Sequence, residues 1–515
     1  METTVPQRPD QDRPGQTYAT AAVVIPAVVA LAAHLLTTTG YGLSGDELYA
    51  IACSDHLAAG YVDLGPIPVF LLALQRFIGG NAFFTLRCVS ALLASFTVYF
   101  SGRIAGSLGA GPYGQFLAAL CALVAPGLLF AGHVATSFGF AVLAWTIGTS
   151  LIIRIAEEST PRRWLLLGAT IGAGLLSSFA MVFFVGAAFI GFLLTSLRRH
   201  LRTLWPWAAM AVAVILMVPW ILWQASHDWP TLAWVRASHA AAAGMPPLAF
   251  VMDQIELRQP LTLPLWLSGV IALFFAASFR RWQVIAWIYI IAAIALFAAH
   301  MEPQYLIPAT IGLFAAGSVL AERVLRKTWM RVTVAVVLFG AGVSTLPMGI
   351  PVLAPRTFTE YEKATGLRMS MGNCECTDRM PGYYGTMFGR KELATVMNAV
   401  FTTLPPEERG HYGILCEDAV QAAALTYYGK DYNFPPAVSG NDQFWYWGAG
   451  GNAGDKLVVV GGNAAGLQGL FGDVTLRMRF RDEYLHPGNY MTPVWLVGRP
   501  VAPLPQVWDQ LRTVK

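Results

Sequence analysis

The chain has 515 residues, of which 55% are hydrophobic and only 12% charged, with a formal net charge of +4. Average soluble domains carry roughly twice that share of charge, so hydrocarbon rather than water has to cover much of the surface. No Lys/Arg-rich run occurs, which excludes nucleic acid as a partner and points to the lipid bilayer instead.

Residues 1–17 are polar and Pro-rich and read as a disordered cytoplasmic tail. The apolar run that follows is too long for a signal-peptide core and reads as an uncleaved first membrane helix. A spanning helix needs about 20 apolar residues. Candidates lie near 18–38, 84–106, 113–131, 134–155, 205–224, 261–279, 283–299, 303–320 and 330–349. The stretch Trp164 to Leu197 is too long for one helix.

Basic residues cluster at Arg162-Arg163, Arg198-Arg199 with Arg202, Arg280-Arg281, and Arg323, Arg326, Lys327 and Arg331. Holding all four clusters in the cytoplasm requires an even number of crossings between neighbours. Two short helices therefore fill 164–197, turning near Ser177-Ser178-Phe179, and the total is about eleven helices. The N terminus is then cytoplasmic in a multi-pass inner (plasma) membrane protein, with everything beyond about Gly349 outside. Residues 18–351 form the membrane part. The outward connections are the first loop, 40–82, a break at 131–137, the stretch 225–259, and the turn 300–303.

Residues 352–515 change character, with more polar residues, tyrosines and turn signals. Strand-like runs occur at Tyr412–Leu415, Leu457–Val460 and Val494–Val497, with helical stretches at Lys391–Leu404 and Ala419–Tyr428. This predicts a small extracytoplasmic α/β domain. Lys456 to Gly466 reads as a strand-to-helix turn, since its glycine spacing does not fit a dinucleotide loop. Cys374 and Cys376 lack the spacer of a zinc knuckle or redox pair; one of them could bridge to Cys416, though spacing alone does not fix the connectivity.

The first loop concentrates polar chemistry. Gly45-Asp46-Glu47-Leu48-Tyr49 is followed by Asp55-His56 and by Gly60-Tyr61-Val62-Asp63-Leu64-Gly65-Pro66. The apolar segment Val69–Ile78 is too short to span and should lie in the interface. Spacing leaves Asp46 and Glu47 open between two readings: a helix cap with a solvent-facing neighbour, or a partly desolvated carboxylate poised as a general base.

The run from Gly45 to Gly79 resembles the first-loop signature of GT-C fold glycosyltransferases that use polyprenyl-phosphate sugars. The groups it is similar to are glycosyltransferase family 39, the Rgt-type enzymes and the lipid A aminoarabinose transferases. VPWILWQASHDWPTLAW (218–234) and AAALTYYGKDYNFPPAVSG (422–440) resemble further segments of those families, in the same order along the chain. The resemblance implies a lipid-linked donor, an outward-facing sugar, Asp46 as general base with Glu47 orienting it, and polyprenyl phosphate leaving with inversion. The acceptor would be a cell-envelope glycan, a glycolipid or a protein. Departures are the missing carboxylate near His133–Ser137, Ser178-Phe179 where relatives carry Lys or Arg, and Leu64-Gly65 in place of a His-Pro-like pair.

Substrate-binding candidates are His56, Tyr61, Asp63, Arg87, His133, His227, Asp228, Arg258, His300 and Tyr305. A cationic or donor group is needed because charge grows on the phosphate as the glycosidic bond breaks. Each also has a plain reading: interface arginines snorkel, Trp229-Pro230 beside His227-Asp228 can anchor a turn, and a buried histidine can simply pack. His300-x-Glu302 with the loop acids could hold a divalent metal; no ligand set is defined and no other cofactor is implied. A transporter of lipid-linked sugars and an inactive assembly subunit are the competing functions.

Overall fold

The structure, a computed structural model, describes residues 19–241, 244–369, 380–451, 454–484 and 491–513. The expected tail over 1–17, and Cys374 and Cys376 with their possible bridge to Cys416, lie outside the described residues.

Helices occupy every position at which hydropathy predicts a span. α1 is Thr20–Leu36; two helices of the first loop follow, α2 (Gly45–Asp55) and α3 (Pro66–Gly79). Next come α4 (Phe83–Ser107), α5 (Pro112–Val124), α6 (Pro126–His133), α7 (Ser137–Glu157), α8 (Pro161–Leu175) and α9 (Met181–Leu194). α10 (Leu204–Ser226), α11 (Pro230–Ala241), α12 (Pro247–Glu256), α13 (Leu263–Phe275) and α14 (Val284–Ala298) continue the chain. A 3₁₀ turn, Pro303–Ala309, leads into α15 (Thr310–Val324), followed by α16 (Thr328–Gly349). Proline in the first turn of α3, α5, α6, α8 and α12 starts each helix where its missing N–H costs nothing.

Five stretches are long and apolar enough to cross a membrane: α4, α7, α10, Pro303–Val324 and α16. Three further pairs bend at a break, by 66° between α5 and α6, 103° after α9 and 92° between α12 and α13, raising the number to eight if each pair is one span. The chain is thus a multi-pass membrane protein with five to eight crossings by length and apolarity, rather than a confirmed eleven. Eight falls short of eleven because α1, α8 and α14 have 17, 15 and 15 residues, fewer than the roughly 20 that an isolated span needs.

Beyond α16 come α17 (Pro355–Thr365), the single turn α18 (Gly382–Gly385), α19 (Arg390–Thr402), α20 (Ala419–Tyr428) and α21 (Asp442–Trp447). The last three, α19, α20 and α21, pack on a five-stranded mixed sheet of order β2-β1-β3-β5-β4. β1 (Tyr412–Cys416) pairs in parallel with β2 (Ala437–Ser439) and β3 (Lys456–Val460); β5 (Thr492–Pro500) runs antiparallel to β3 and to the edge strand β4 (Phe471–Phe480). The glycine-rich segment after β3 is a strand-to-helix turn: Gly461 and Gly462 have φ of 90° and 72°, and the Gly462 amide donates to the Glu417 carboxylate at 2.8 Å.

Two apolar cores cut across the sequence. One fills the bundle and extends to Phe358, Met380, Tyr383 and Tyr384. The second joins Leu48, Ile51 and Ala52 of α2 with Leu393, Met397, Ile414, Ala422, Val458 and Val494 of the C-terminal region. α2 is therefore a shared part, packed on α20 above the bundle. Each fully buried Leu or Ile there contributes about 1.5–3 kcal/mol, enough to fix the attitude of α2 over the helix ends.

Candidate active site

α2 starts earlier than a cap at Asp46 would place it, and Glu47 is buried rather than solvent-facing. Ser44 caps it, its hydroxyl accepting from the Glu47 amide at 3.2 Å while the Glu47 carboxylate accepts from the Ser44 amide at 2.8 Å. This reciprocal capping box satisfies two orphan donors of the first turn. Gly45 is required by packing, since a Cβ there would lie 2.7 Å from Cγ1 of Val420 on α20.

Of the two acids it is Glu47 that joins Ser44 in the capping box, and it does far more than that. Arg87 of α4 grips its carboxylate with two bonds of 2.8 Å, and the Ala135 amide, in the break between α6 and α7, donates to it at 3.1 Å. Arg87 also donates to the carbonyls of Thr38 and Gly42 at 2.8 and 2.9 Å, and lies 3.1 Å from Nε2 of His133. Both side chains of the pair are 1% exposed. Burial alone would raise the Glu47 carboxyl, but the Arg87 charge and the hydrogen bonds from Arg87, Ser44 and Ala135 outweigh it and hold it low. The expectation that Glu47 orients Asp46 is corrected accordingly: no hydrogen bond joins the two carboxylates, because Glu47 is saturated by other partners.

Asp46 faces the other way. Its side chain opens onto a cavity with two lobes that share Asp46, Thr136, Ser137 and Tyr305. The first lobe, with about 860 Å³ of open space, is walled by Pro68, Val69 and Leu72 of α3 and by Trp234, with Asp63 and Tyr49 at its base. The second, about 1090 Å³, is lined by Ser44, Glu302, Gln304 and Thr386. Among the described residues Asp46 accepts no hydrogen bond. Although exposed to the cavity, the carboxylate sits deep within the protein, and desolvation raises its pKa; Glu47 and Asp418 push the same way and Arg390 opposes them. A half-dry, unbonded carboxylate of raised pKa is what proton abstraction near neutral pH requires.

Asp63 is the second acid of the first lobe. It accepts from the Tyr49 hydroxyl at 2.7 Å, and that hydroxyl accepts from the Gln443 amide of α21 at 3.2 Å. Burial pushes its carboxyl up to about 6, with the Tyr49 hydrogen bond opposing. Glu302 is raised by burial and then by Asp46, and bonds to Gln304 at 2.5 Å.

The other candidates disperse. Tyr61 is fully buried, its hydroxyl holding the Ala58 amide at 3.0 Å, and braces the loop. His56 stacks on Trp447 at 4.4 Å, and His227 stacks on Trp223 at 4.3 Å beside the left-handed Asp228. His300 stacks on His239 at 5.2 Å. None of these lines either lobe. Arg258 is fully buried in the α12–α13 bend, bonded to Thr310 and to the Gln254 and Leu306 carbonyls, so it neither snorkels nor reaches the cavity. Among the described residues no three His, Cys, Asp or Glu side chains gather closely enough to hold a metal ion.

Sequence reasoning missed Thr136 and Ser137, which line both lobes, and Arg390, the first residue of α19, which lies buried against Gly45 at the start of α2. A helix break rich in small hydroxyl residues was the available signal for the first two. Nothing local marks Arg390.

With this geometry in view, residues 63–223 match the model of the dolichyl-phosphate-mannose-protein mannosyltransferase family. No curated protein matches the chain. The structure of ArnT from Cupriavidus metallidurans bound to undecaprenyl phosphate aligns with a TM-score of 0.57 and 16% identity, covering 93% of this chain and 98% of that one. The same protein in the apo state gives the same values, 0.57 and 16% over 93% and 98%. An Archaeoglobus fulgidus oligosaccharyltransferase in complex with Zn and sulfate aligns more weakly, with a TM-score of 0.46 and 12% identity over 78% of this chain and 61% of that one. The chain has the GT-C fold of the glycosyltransferases that use polyprenyl-phosphate sugars, and over residues 63–223 it matches a family of them in sequence as well.

Proposed function

We propose that the chain is a membrane glycosyltransferase that moves a sugar from a polyprenyl-phosphate donor to an extracytoplasmic acceptor, with Asp46 as general base. The observation that carries this reading is the Asp46 carboxylate, unbonded among the described residues, at the junction of the two lobes. The apolar wall that Pro68, Val69 and Leu72 of the interfacial helix α3 give the first lobe suits the first isoprene units of the donor; the second lobe, with Glu302, Gln304 and Thr386, suits sugar and acceptor. Asp46 takes the proton of the acceptor hydroxyl as its oxygen attacks the anomeric carbon. The bond from that carbon to the phosphate oxygen breaks, polyprenyl phosphate leaves with the electron pair, and one displacement inverts the centre. The loop 40–82 and residues 352–515, read as an extracytoplasmic α/β domain, then face outward, while residues 18–351 hold the lipid. The acceptor is a cell-envelope glycan, a glycolipid or a protein.

The test is transfer of radiolabelled sugar in proteoliposomes from a panel of undecaprenyl-phosphate hexoses and pentoses to cell-envelope fractions. Wild type should transfer from at least one donor, and Asp46→Asn should lose about 10²–10⁴-fold. Equal transfer by both variants overturns the base. Translocation of the donor without transfer favours a transporter of lipid-linked sugars instead.

A further inference from the structure

The C-terminal region contributes more to this site than packing. Arg390 is 7% exposed, its Nε has no partner, and its guanidinium makes no hydrogen bond among the described residues. Buried arginines are normally saturated, as Arg258 is, because an uncompensated buried charge is costly. The position of Arg390 explains the exception. Its Nη2 lies 3.6 Å from where a Cβ on Gly45 would stand, so the guanidinium rests against the first residue of α2. The acids that act on it are Asp418 first and then Asp46, and among the described residues neither forms an ion pair with it. Asp418 caps α20, accepting from the Val420 amide at 2.6 Å.

The charged and titratable groups around Asp46 come from every neighbouring element. They are Glu47 and Tyr49 on α2, Asp63 before α3, and Arg87 on α4 with His133 of α6 behind Glu47. Glu302 and Tyr305 come from the turn before α15, Arg390 from α19, and Asp418 from the start of α20. Acids outnumber cations, and Arg87 is consumed by Glu47. Among the described residues Arg390 is the cation left to answer Asp46.

We propose that Arg390 is a positioning residue of the active site: reaching across from the C-terminal region, it keeps the Asp46 carboxylate ionised at the cavity junction, and Asp418 sets how much of its charge Asp46 feels. The inference rests on the reading of Asp46 as base for its meaning, but its test does not need transfer. Carbodiimide reacts with protonated carboxyl groups, so coupling of glycine ethyl ester to Asp46 in the full-length, detergent-solubilised protein, quantified by peptide mass spectrometry against pH, titrates that side chain directly. Arg390→Met should move the midpoint up by about one pH unit or more, while Arg390→Lys stays close to wild type. Asp418→Asn, which still caps α20, should move it down. A general structural role for Arg390 would lower yield without moving the midpoint. A folded Arg390→Met protein with an unmoved midpoint overturns the proposal; so does an unmoved midpoint in Asp418→Asn if the Met variant does not fold. Should Asp46→Asn retain transfer, the base reading falls while the Arg390 result stands as electrostatics alone.

Discussion

The first turn of α2 presents two carboxylates to two very different surroundings. On the bundle side Glu47 is sealed with Arg87, receives amides from Ser44 and Ala135, and stays charged in a space closed to water. On the cavity side Asp46 has no hydrogen-bond partner among the described residues and meets open space in two directions. A charge that is saturated holds structure together, because every change of its state is expensive. A charge left unbonded can change state, which is the property a base requires. On the proposed reading the same helix supplies an anchor, Glu47, and the base, Asp46, from adjacent positions.

Substitutions can break this contrast or sharpen it. The largest effect belongs to Asp46→Asn, which should abolish most transfer, by the factor given above, while leaving thermal unfolding of the purified protein nearly unchanged. In the wild type, transfer should rise with pH through the Asp46 ionisation. Its acid limb should lie above the ordinary carboxylate range, because desolvation raises this group.

Glu47→Gln should do the reverse. It keeps the shape but strands Arg87, at a cost of about 3–5 kcal/mol of stability, read as lost folded yield and a lower unfolding temperature. Adding Arg87→Met to it should recover part of the loss. Comparable stability of the Glu47→Gln protein and the wild type would show that the pair is no anchor.

Asp63 sits between the extremes, bonded yet at the cavity. Its folded-state pKa is raised to about 6 from 3.8, so the folded protein holds this proton more tightly than the unfolded chain does. The resulting stabilisation is complete below the unfolded value and is lost as pH rises through about 6. Asp63→Asn still accepts from Tyr49 and never ionises. It should therefore unfold like wild type at pH 4 and more stably at pH 8, by about 1–2 kcal/mol after screening.

The smallest effect is expected at the far end of the same helix. There Asp55 pairs with Arg76 at 2.7 Å but is 42% exposed. Asp55→Asn should cost only about 0.2–1 kcal/mol, a shift in unfolding temperature at the edge of detection.

Much of this arrangement is written in short stretches of sequence. Apolar run lengths locate the helices, the basic clusters require a turn at 177–179, and α8 and α9 do meet there. A helix start at the acidic pair was legible too, though the capping reading takes Asp46 as its cap where the structure has Ser44, in a capping box with Glu47. In the C-terminal region the apolar strands β1, β3 and β5 were legible. β2, with three residues, and the largely exposed β4 were not, because their pairing with neighbours, rather than their own pattern, makes them strands.

What the sequence by itself determined is that an acidic pair stands at the start of a helix beside a membrane. Which acid is locked and which is open was decided only by tertiary structure. Arg87 lies on another helix, Ala135 in a distant break, and Arg390 beyond the whole bundle, and no local pattern links any of them to α2. Burial turns such long-range neighbours into strong interactions, since in a desolvated interior a single guanidinium sets the state of a carboxylate. For the same reason Arg258, plausible in sequence as a phosphate ligand, is instead consumed by the backbone carbonyls of a bend that only the folded chain creates.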